Sequence, residues 1–268
     1  MLSLRILSAL TGGPAVLVAA WYGGIPLAVL VLIISCVGSD EMVHLMLARG
    51  VKVPRGLALS LAAGCVWLAY LGDPWYLALF PAAAALVCLG APVLSAGRLG
   101  VVEGAATFFC VTYSSYLLAY VMLIRSLVGG DRLLVLVVAI TWATDTAAYF
   151  GGMRFGRRLM CPELSPRKTW EGAASGAAAA IAVGAALGGW AGFSVGGGVG
   201  IGVVTTFAAQ VGDLAESAIK RYAGVKDSGR IIPGHGGVLD RFDSLLFAAP
   251  TAFCLFRMVG RWERLSGW

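Results

Sequence analysis

The chain has 268 residues, of which 59% are hydrophobic and 13% charged, with a formal net charge of +6. That charged share is about half the usual one for a soluble domain, and so much apolar surface cannot be hidden in a water-soluble core of this length, so a membrane protein is expected. The positive charge does not call for nucleic acid, because Arg and Lys of membrane proteins collect in cytoplasmic loops against anionic headgroups.

A helix needs about 20 apolar residues to cross about 30 Å of hydrocarbon. On that measure the fold class is all-α: a polytopic integral membrane helix bundle with about nine transmembrane helices. The predicted spans are 4–22, 24–38, 57–72, 75–94, 104–125, 133–151, 172–191, 196–220 and 244–259. They are read as one membrane domain, with a helix bundle over 1–130 on the lipid or oligomer side and a catalytic part over 131–268. The N-terminus imitates a signal peptide, with Arg5 before an apolar run, but further spans follow at once and a retained first helix is expected. The second span is short, and only Gly23 and Gly24 separate it from the first.

Between the spans, residues 39–56 carry Arg49, Lys52 and Arg55, and residues 152–171 carry Arg154, Arg157, Arg158, Arg167 and Lys168. With residues 221–243 they form three polar loops, which alternation puts on one side and the positive-inside rule makes cytoplasmic. The membrane expected is a bacterial inner membrane. The same alternation puts the C-terminus outside, against the grain of Arg257, Arg261 and Arg264 in the tail. In the seventh span, Gly172 with Gly176 and Gly184 with Gly188 are spaced for close helix packing, with a homodimer as one use of it. The six cysteines show no metal spacing and read as free thiols. The Gly196–Gly202 run contains neither a dinucleotide fingerprint nor a P-loop.

The chemistry concentrates in Asp213–Asp243, DLAESAIKRYAGVKDSGRIIPGHGGVLDRFD, which holds five of the chain's fourteen acids. On a helix, Asp213, Glu216, Ser217 and Lys220 share one face, and Gln210 extends it by a turn. Carboxylates at membrane depth are costly and line cavities or pathways, or else sit at a solvated helix end in internal ion pairs. Past Tyr222 the chain is punctuated by Gly224, Gly229, Gly234, Gly236 and Gly237, and glycines let backbone N–H groups approach phosphate. Asp240 and Asp243 lie one turn apart; with Asp213 they have the oxygen chemistry of a Mg²⁺ site. Lys220, Arg221, Lys226, Arg230 and Arg241 supply charge for phosphate groups. His235 is a lone histidine, either locally hydrogen-bonded or functional.

Ser217–Asp243 resembles the signature of phosphatidate cytidylyltransferases (CDP-diacylglycerol synthases). The matching residues are Ser217, Lys220, Arg221, Lys226, Asp227, Gly229, Pro233, His235, Gly236, Gly237, Asp240, Arg241 and Asp243. Gln210–Leu214 looks like the family's Q-x-G-D-L. Ser165–Gly172, SPRKTWEG, is similar to its S-P-K-K-T-W-E-G, with Arg167 in place of the first lysine. Thr144–Gly156 resembles a third family segment and places Asp145 and Tyr149 one turn apart. Glu41 and the Arg49–Arg55 loop match a short family connection only weakly. The specific likeness covers the chain from about residue 140.

The resemblance implies transfer of CMP from CTP to phosphatidic acid, giving CDP-diacylglycerol and pyrophosphate among membrane lipids. It implies Asp213 and Asp240 as principal metal ligands, with Asp243 and Asp227 as further candidates, for Mg²⁺ and a second metal or monovalent ion. Lys220, Lys226, Arg241 and Lys168 are expected on phosphates, with Ser165, Arg167, Ser217, Arg221, Gly236, Gly237 and Asp145 completing substrate contacts. His235 is expected at the leaving pyrophosphate. Competing expectations are CMP transfer to another lipid phosphate, a CTP-dependent polyprenol kinase, an ion-coupled transporter and a membrane scaffold. A transporter predicts acids spread over several spans and inverted repeats, neither of which the sequence contains.

Overall fold

The computed structural model describes residues 2–229, 231 and 236–266, with side chains from residue 12 to residue 259 within them. Arg230, Pro233, Gly234 and His235 lie outside the described residues, as do the side chains of Arg261, Glu263 and Arg264. The described helices are α1 (Leu2–Tyr22), α2 (Gly24–Leu47), α3 (Arg55–Tyr70), α4 (Pro74–Leu94), α5 (Val101–Val111), α6 (Leu117–Arg125), α7 (Gly130–Phe155), α8 (Trp170–Gly188), α9 (Val195–Ala223) and α10 (Leu239–Ser266). A π-helical turn, Thr112–Tyr116, joins α5 and α6 into one run. Among the described residues, seven helical runs are long and apolar enough to cross a membrane, and α3 is a shorter apolar helix. Their outward surfaces are apolar: Leu86 is 76% and Phe207 72% exposed. Such side chains are stable against hydrocarbon and not against water.

Local chemistry sets the breaks. Gly23 and Gly24 have φ of 65° and 55°, a left-handed pair that a side chain would resist, and there α1 gives way to α2. Asp73 caps α4 by accepting from Trp75 N at 2.9 Å, with Pro74 at the first helical position. Thr169 caps α8 by accepting from Gly172 N at 3.1 Å.

Three expectations are corrected. α2 continues to Leu47, so residues 39–47 are helix rather than loop and Glu41 lies inside a span. Nothing in that stretch breaks a helix, and its polar residues find partners. The loop after α7 is not purely irregular: β1 (Leu159–Cys161) and β2 (Ser165–Thr169) form an antiparallel hairpin, Leu159 opposite Thr169 and Cys161 opposite Ser165. α10 also starts earlier than predicted, at Leu239, which brings Asp240, Arg241 and Asp243 into helix.

The contacts sort into two compact units, Met1–Leu123 with Ala218–Phe242, and Ile124–Ser217 with Asp243–Trp268. In the first, α2 packs on α3 and on the π turn. Ser39 of α2 lies 2.8 Å from Ser114 Oγ and 3.1 Å from Ser115 Oγ, all three buried. The wider turn lets two consecutive serines face α2, as is common where a π bulge serves a task.

In the second unit the glycines of α8 work on two faces. A Cβ at Gly172 would meet Ala148 O of α7 at 2.8 Å, and one at Gly176 would meet Thr144 O at 2.8 Å. A Cβ at Gly184 would meet Gly198 O of α9 at 2.3 Å, and one at Gly198 would meet Gly184 O at 2.2 Å. The close packing read from the glycine pairs is made within the chain, so they give a homodimer no support. Gly198→Val should therefore destabilise the protein by about 1–3 kcal/mol, read as a lower Tm in detergent. Gly200→Val, where an added Cβ meets nothing within 4 Å, should unfold like the parent.

Candidate active site

Within the first unit, Lys220 near the end of α9 donates from Nζ to Asp240 Oδ1 at 2.6 Å. The two side chains are 13% and 7% exposed. A charge pair so removed from water holds only when its remaining valences are met, and here they are. Asp240 Oδ2 accepts from Gly237 N at 2.8 Å and Ser228 N at 3.0 Å, and Ser228 Oγ lies 3.0 Å away. The sequence drives this locally: Asp240 sits in the first turn of α10, where a carboxylate reaches back to preceding amides.

The glycines of this loop are needed for close approach, but to carboxylates. Gly236 has φ 85°, and a Cβ there would lie 2.8 Å from Asp240 Oδ2. A Cβ at Gly237 would lie 2.0 Å from Ser228 Oγ. The Gly237 amide, expected to face phosphate, is engaged by Asp240. Lys226, Asp227, Arg221 and Arg241 are exposed, and Arg221 donates to Val225 O at 3.3 Å. Arg49, beyond the end of α2, donates to the Tyr222 carbonyl and lies over its ring, 5.2 Å from the centroid.

Within the second unit, Asp213 of α9 pairs with Lys168 of β2; both side chains are partly exposed, at 32% and 27%. The hairpin holds Lys168 one residue before the α8 cap, with Ser165 half-buried and Arg167 exposed on the same strand. Gly212 lets α10 come close beside Asp213: a Cβ there would meet Asp243 O at 2.6 Å. Asp145 of α7 accepts from Ser244 Oγ at 3.0 Å, and Asp243 Oδ1 accepts from Ser244 N at 2.7 Å. The charges of Asp213, Glu216 and Asp145 all act on the Asp243 carboxylate. Glu216 and Ser217 are buried. Gln210 is an anchor, donating to Ala173 O at 3.1 Å and Thr206 Oγ1 at 3.3 Å.

This acid group has the donor chemistry of a hard-cation site, with a lysine as its present counter-charge. Among the described residues, no three His, Cys, Asp or Glu side chains already form a metal-ready cluster. Asp240 differs from Asp213 and Asp243, since both its oxygens are occupied by protein donors.

Sequence reasoning gave Glu41 only a weak family match and no role, and passed over Ser228 and Ser244. The signal for Glu41 emerges only with the observed length of α2, since an acid inside an apolar helix is costly enough to require a reason. Ser228 and Ser244 are ordinary residues until their partners are known. An open cleft of about 350 Å³, lined by Arg154, Phe155, Gly156, Arg157 and Glu171, also went unremarked. There Glu171 accepts from the amides of Arg157 and Arg158 at 3.0 and 3.1 Å.

Comparison with known proteins agrees with this chemistry. A model of the cytidylyltransferase family matches residues 3–259. The phosphatidate cytidylyltransferase of Brucella suis biovar 1 (strain 1330) is 35% identical over 254 residues, covering 92% of this chain and 90% of that protein. The phosphatidate cytidylyltransferase of Staphylococcus aureus (strain COL) is 31% identical over 234 residues, covering 85% of this chain and 88% of that protein. With a family match across almost the whole chain and such identity to full-length relatives, this multi-pass protein belongs to the cytidylyltransferase family.

Proposed function

We propose that the protein transfers CMP from CTP to phosphatidic acid, forming CDP-diacylglycerol and pyrophosphate in phospholipid biosynthesis. One observation carries this reading: four charged residues of the family's motifs, set in an apolar chain, are held in the pairs Lys220–Asp240 and Lys168–Asp213. The names of the relatives support phosphatidate as the acceptor.

A phosphate oxygen of the lipid attacks the α-phosphorus of CTP, and the bond from that phosphorus to the oxygen bridging toward the β-phosphate breaks. The nucleophile is already anionic, so no serine, cysteine or general base has to be activated. The barrier lies in bringing two anions together and in stabilising pyrophosphate as it leaves, which positioning and fixed positive charge achieve. Lys220, Lys226 and Arg241 are assigned to nucleotide phosphates. Lys168, Arg167 and Ser165 are assigned to phosphate at the β-hairpin. Asp213 and Asp243 are the carboxylates assigned to Mg²⁺, with Asp145 and Glu216 adding negative charge beside them. Asp240, whose oxygens are taken by Lys220 and the Gly237 and Ser228 amides, is not assigned to the metal. When bound, Mg²⁺ supplies charge neutralisation for the triphosphate and the departing pyrophosphate. His235 is assigned to the pyrophosphate, and Asp227, Ser217, Arg221, Gly236 and Gly237 to supporting contacts.

The arginines of residues 152–171 support a cytoplasmic site, where CTP is available, and the bacterial relatives support the inner membrane. Phosphatidate enters from the bilayer and CTP from water, which suits polar clusters at the ends of apolar helices.

In detergent with Mg²⁺ and phosphatidic acid, α-labelled CTP should label the lipid and γ-labelled CTP should label only pyrophosphate. Lipid label from the γ-phosphate would mean a kinase instead, and no labelled lipid from either, beside an active control enzyme, would end the proposal. Chelation of divalent cations should abolish turnover and added Mg²⁺ restore it. Asp213→Asn should fold normally, since its side chain is partly exposed, while kcat falls about 100-fold or more. Near-parental kcat would remove Asp213 from the metal assignment.

A further inference from the structure

Glu41 is 3% exposed in the C-terminal part of the apolar helix α2. An ionisable group there needs several partners to remain, and both of its oxygens have them. Val238 N donates to Oε1 at 2.8 Å and Leu239 N to Oε2 at 2.9 Å. These are backbone N–H groups at the start of α10, which the helix itself cannot satisfy. The carboxylate thus caps α10 from a helix nearly two hundred residues earlier, and its charge suits the positive end of the helix dipole.

Ser228 carries the contact onward. Its Oγ lies 3.0 Å from Glu41 Oε2 and 3.0 Å from Asp240 Oδ2. A hydroxyl has one proton and donates to one acceptor at a time, so the two carboxylates share a single hydrogen-bond donor. The backbone has been cleared around them. A Cβ at Gly229 would lie 2.4 Å from Glu41 Oε1, and one at Gly237 would lie 2.7 Å from it. α2 is itself held in place nearby: Ser39 bonds to the π turn, and a Cβ at Gly38 would touch Leu239 Cδ2 at 3.0 Å.

We infer that Glu41 is a positioning residue of the transferase, setting the place and orientation of the Asp240–Lys220 pair through Ser228 and the first turn of α10. The inference rests on the assignment of Lys220 and Asp240 to the active site. It goes further by placing a determinant of catalysis in the N-terminal helices, where the specific likeness to the family was weakest. Glutamine cannot substitute, because its amide offers one acceptor oxygen where two N–H groups need acceptance and turns an NH₂ toward donors. Aspartate is shorter by one methylene and cannot span the same contacts.

The test compares purified parent, Glu41→Gln, Ser228→Ala, the double variant and Asp240→Asn, each measured for Tm, monodispersity, kcat and the KM values for CTP and phosphatidate. Glu41→Gln and Ser228→Ala should each lower kcat about 10–100-fold per folded molecule, measured well below their Tm. The double variant should lose no more than the worse single variant, since both cut one connection. Ser228→Ala leaves the charges and the α10 cap in place, so it answers the question even if Glu41→Gln does not fold. Parental kcat in folded Ser228→Ala, or fully multiplicative losses in the double variant, would overturn the inference. An active Asp240→Asn would overturn the site assignment beneath it. An inactive Asp240→Asn beside fully active Glu41→Gln would overturn the positioning role alone.

Discussion

A charge in an apolar chain survives only if its partners replace water, and the polar architecture of this protein follows from that constraint. Asp240 shows it most fully. Its carboxylate is almost closed to solvent, yet one oxygen holds an ammonium and the other collects two backbone amides. Losing one member of such a pair typically costs about 3–5 kcal/mol, because the other is left buried and uncompensated. The cluster is therefore built as a unit, and neighbouring residues are chosen to let its members meet.

Glycine is the usual means of letting them meet. In the first unit it clears space around carboxylates, so that amides and a serine hydroxyl reach Asp240 and Glu41. In the second it brings helix backbones together, α8 against α7 on one face and against α9 on the other. Gly212 does the same where α9 meets α10, beside Asp213 and Asp243. Residues that carry no chemistry thus determine where the residues with chemistry sit.

The two clusters differ in electrostatic character. Asp240 is satisfied by donors from its own unit, so it is fixed in place and resists reorganisation. Asp213, Glu216, Asp145 and Asp243 bring several carboxyl groups into one acid-rich group, whose oxygens are the donor type of a hard-cation site. Such a division fits phosphoryl chemistry in which the nucleophile arrives charged. The protein then has little proton transfer to do and much charge to place.

Membrane class, the approximate spans and the concentration of polar and charged residues in Asp213–Asp243 were legible in the sequence, because hydropathy and charge act locally along a helix. The resemblance to the family's motifs also singled out Lys168, Asp213, Lys220 and Asp240 as candidates before any partner was known. Partner choice was not legible. That Lys220 takes Asp240, that Lys168 takes Asp213, and that the Gly237 amide faces a carboxylate depend on residues far apart in the chain. The β-hairpin was missed because its strands are short and polar, and the extension of α2 because polar residues near its end looked like a loop. Glu41 marks the boundary most clearly. The sequence alone left Glu41 in a polar stretch beyond an apolar span, and only the tertiary structure decided that α2 runs through it and that its partners are at the start of α10, because hydrogen bonds are satisfied in space and not along the chain.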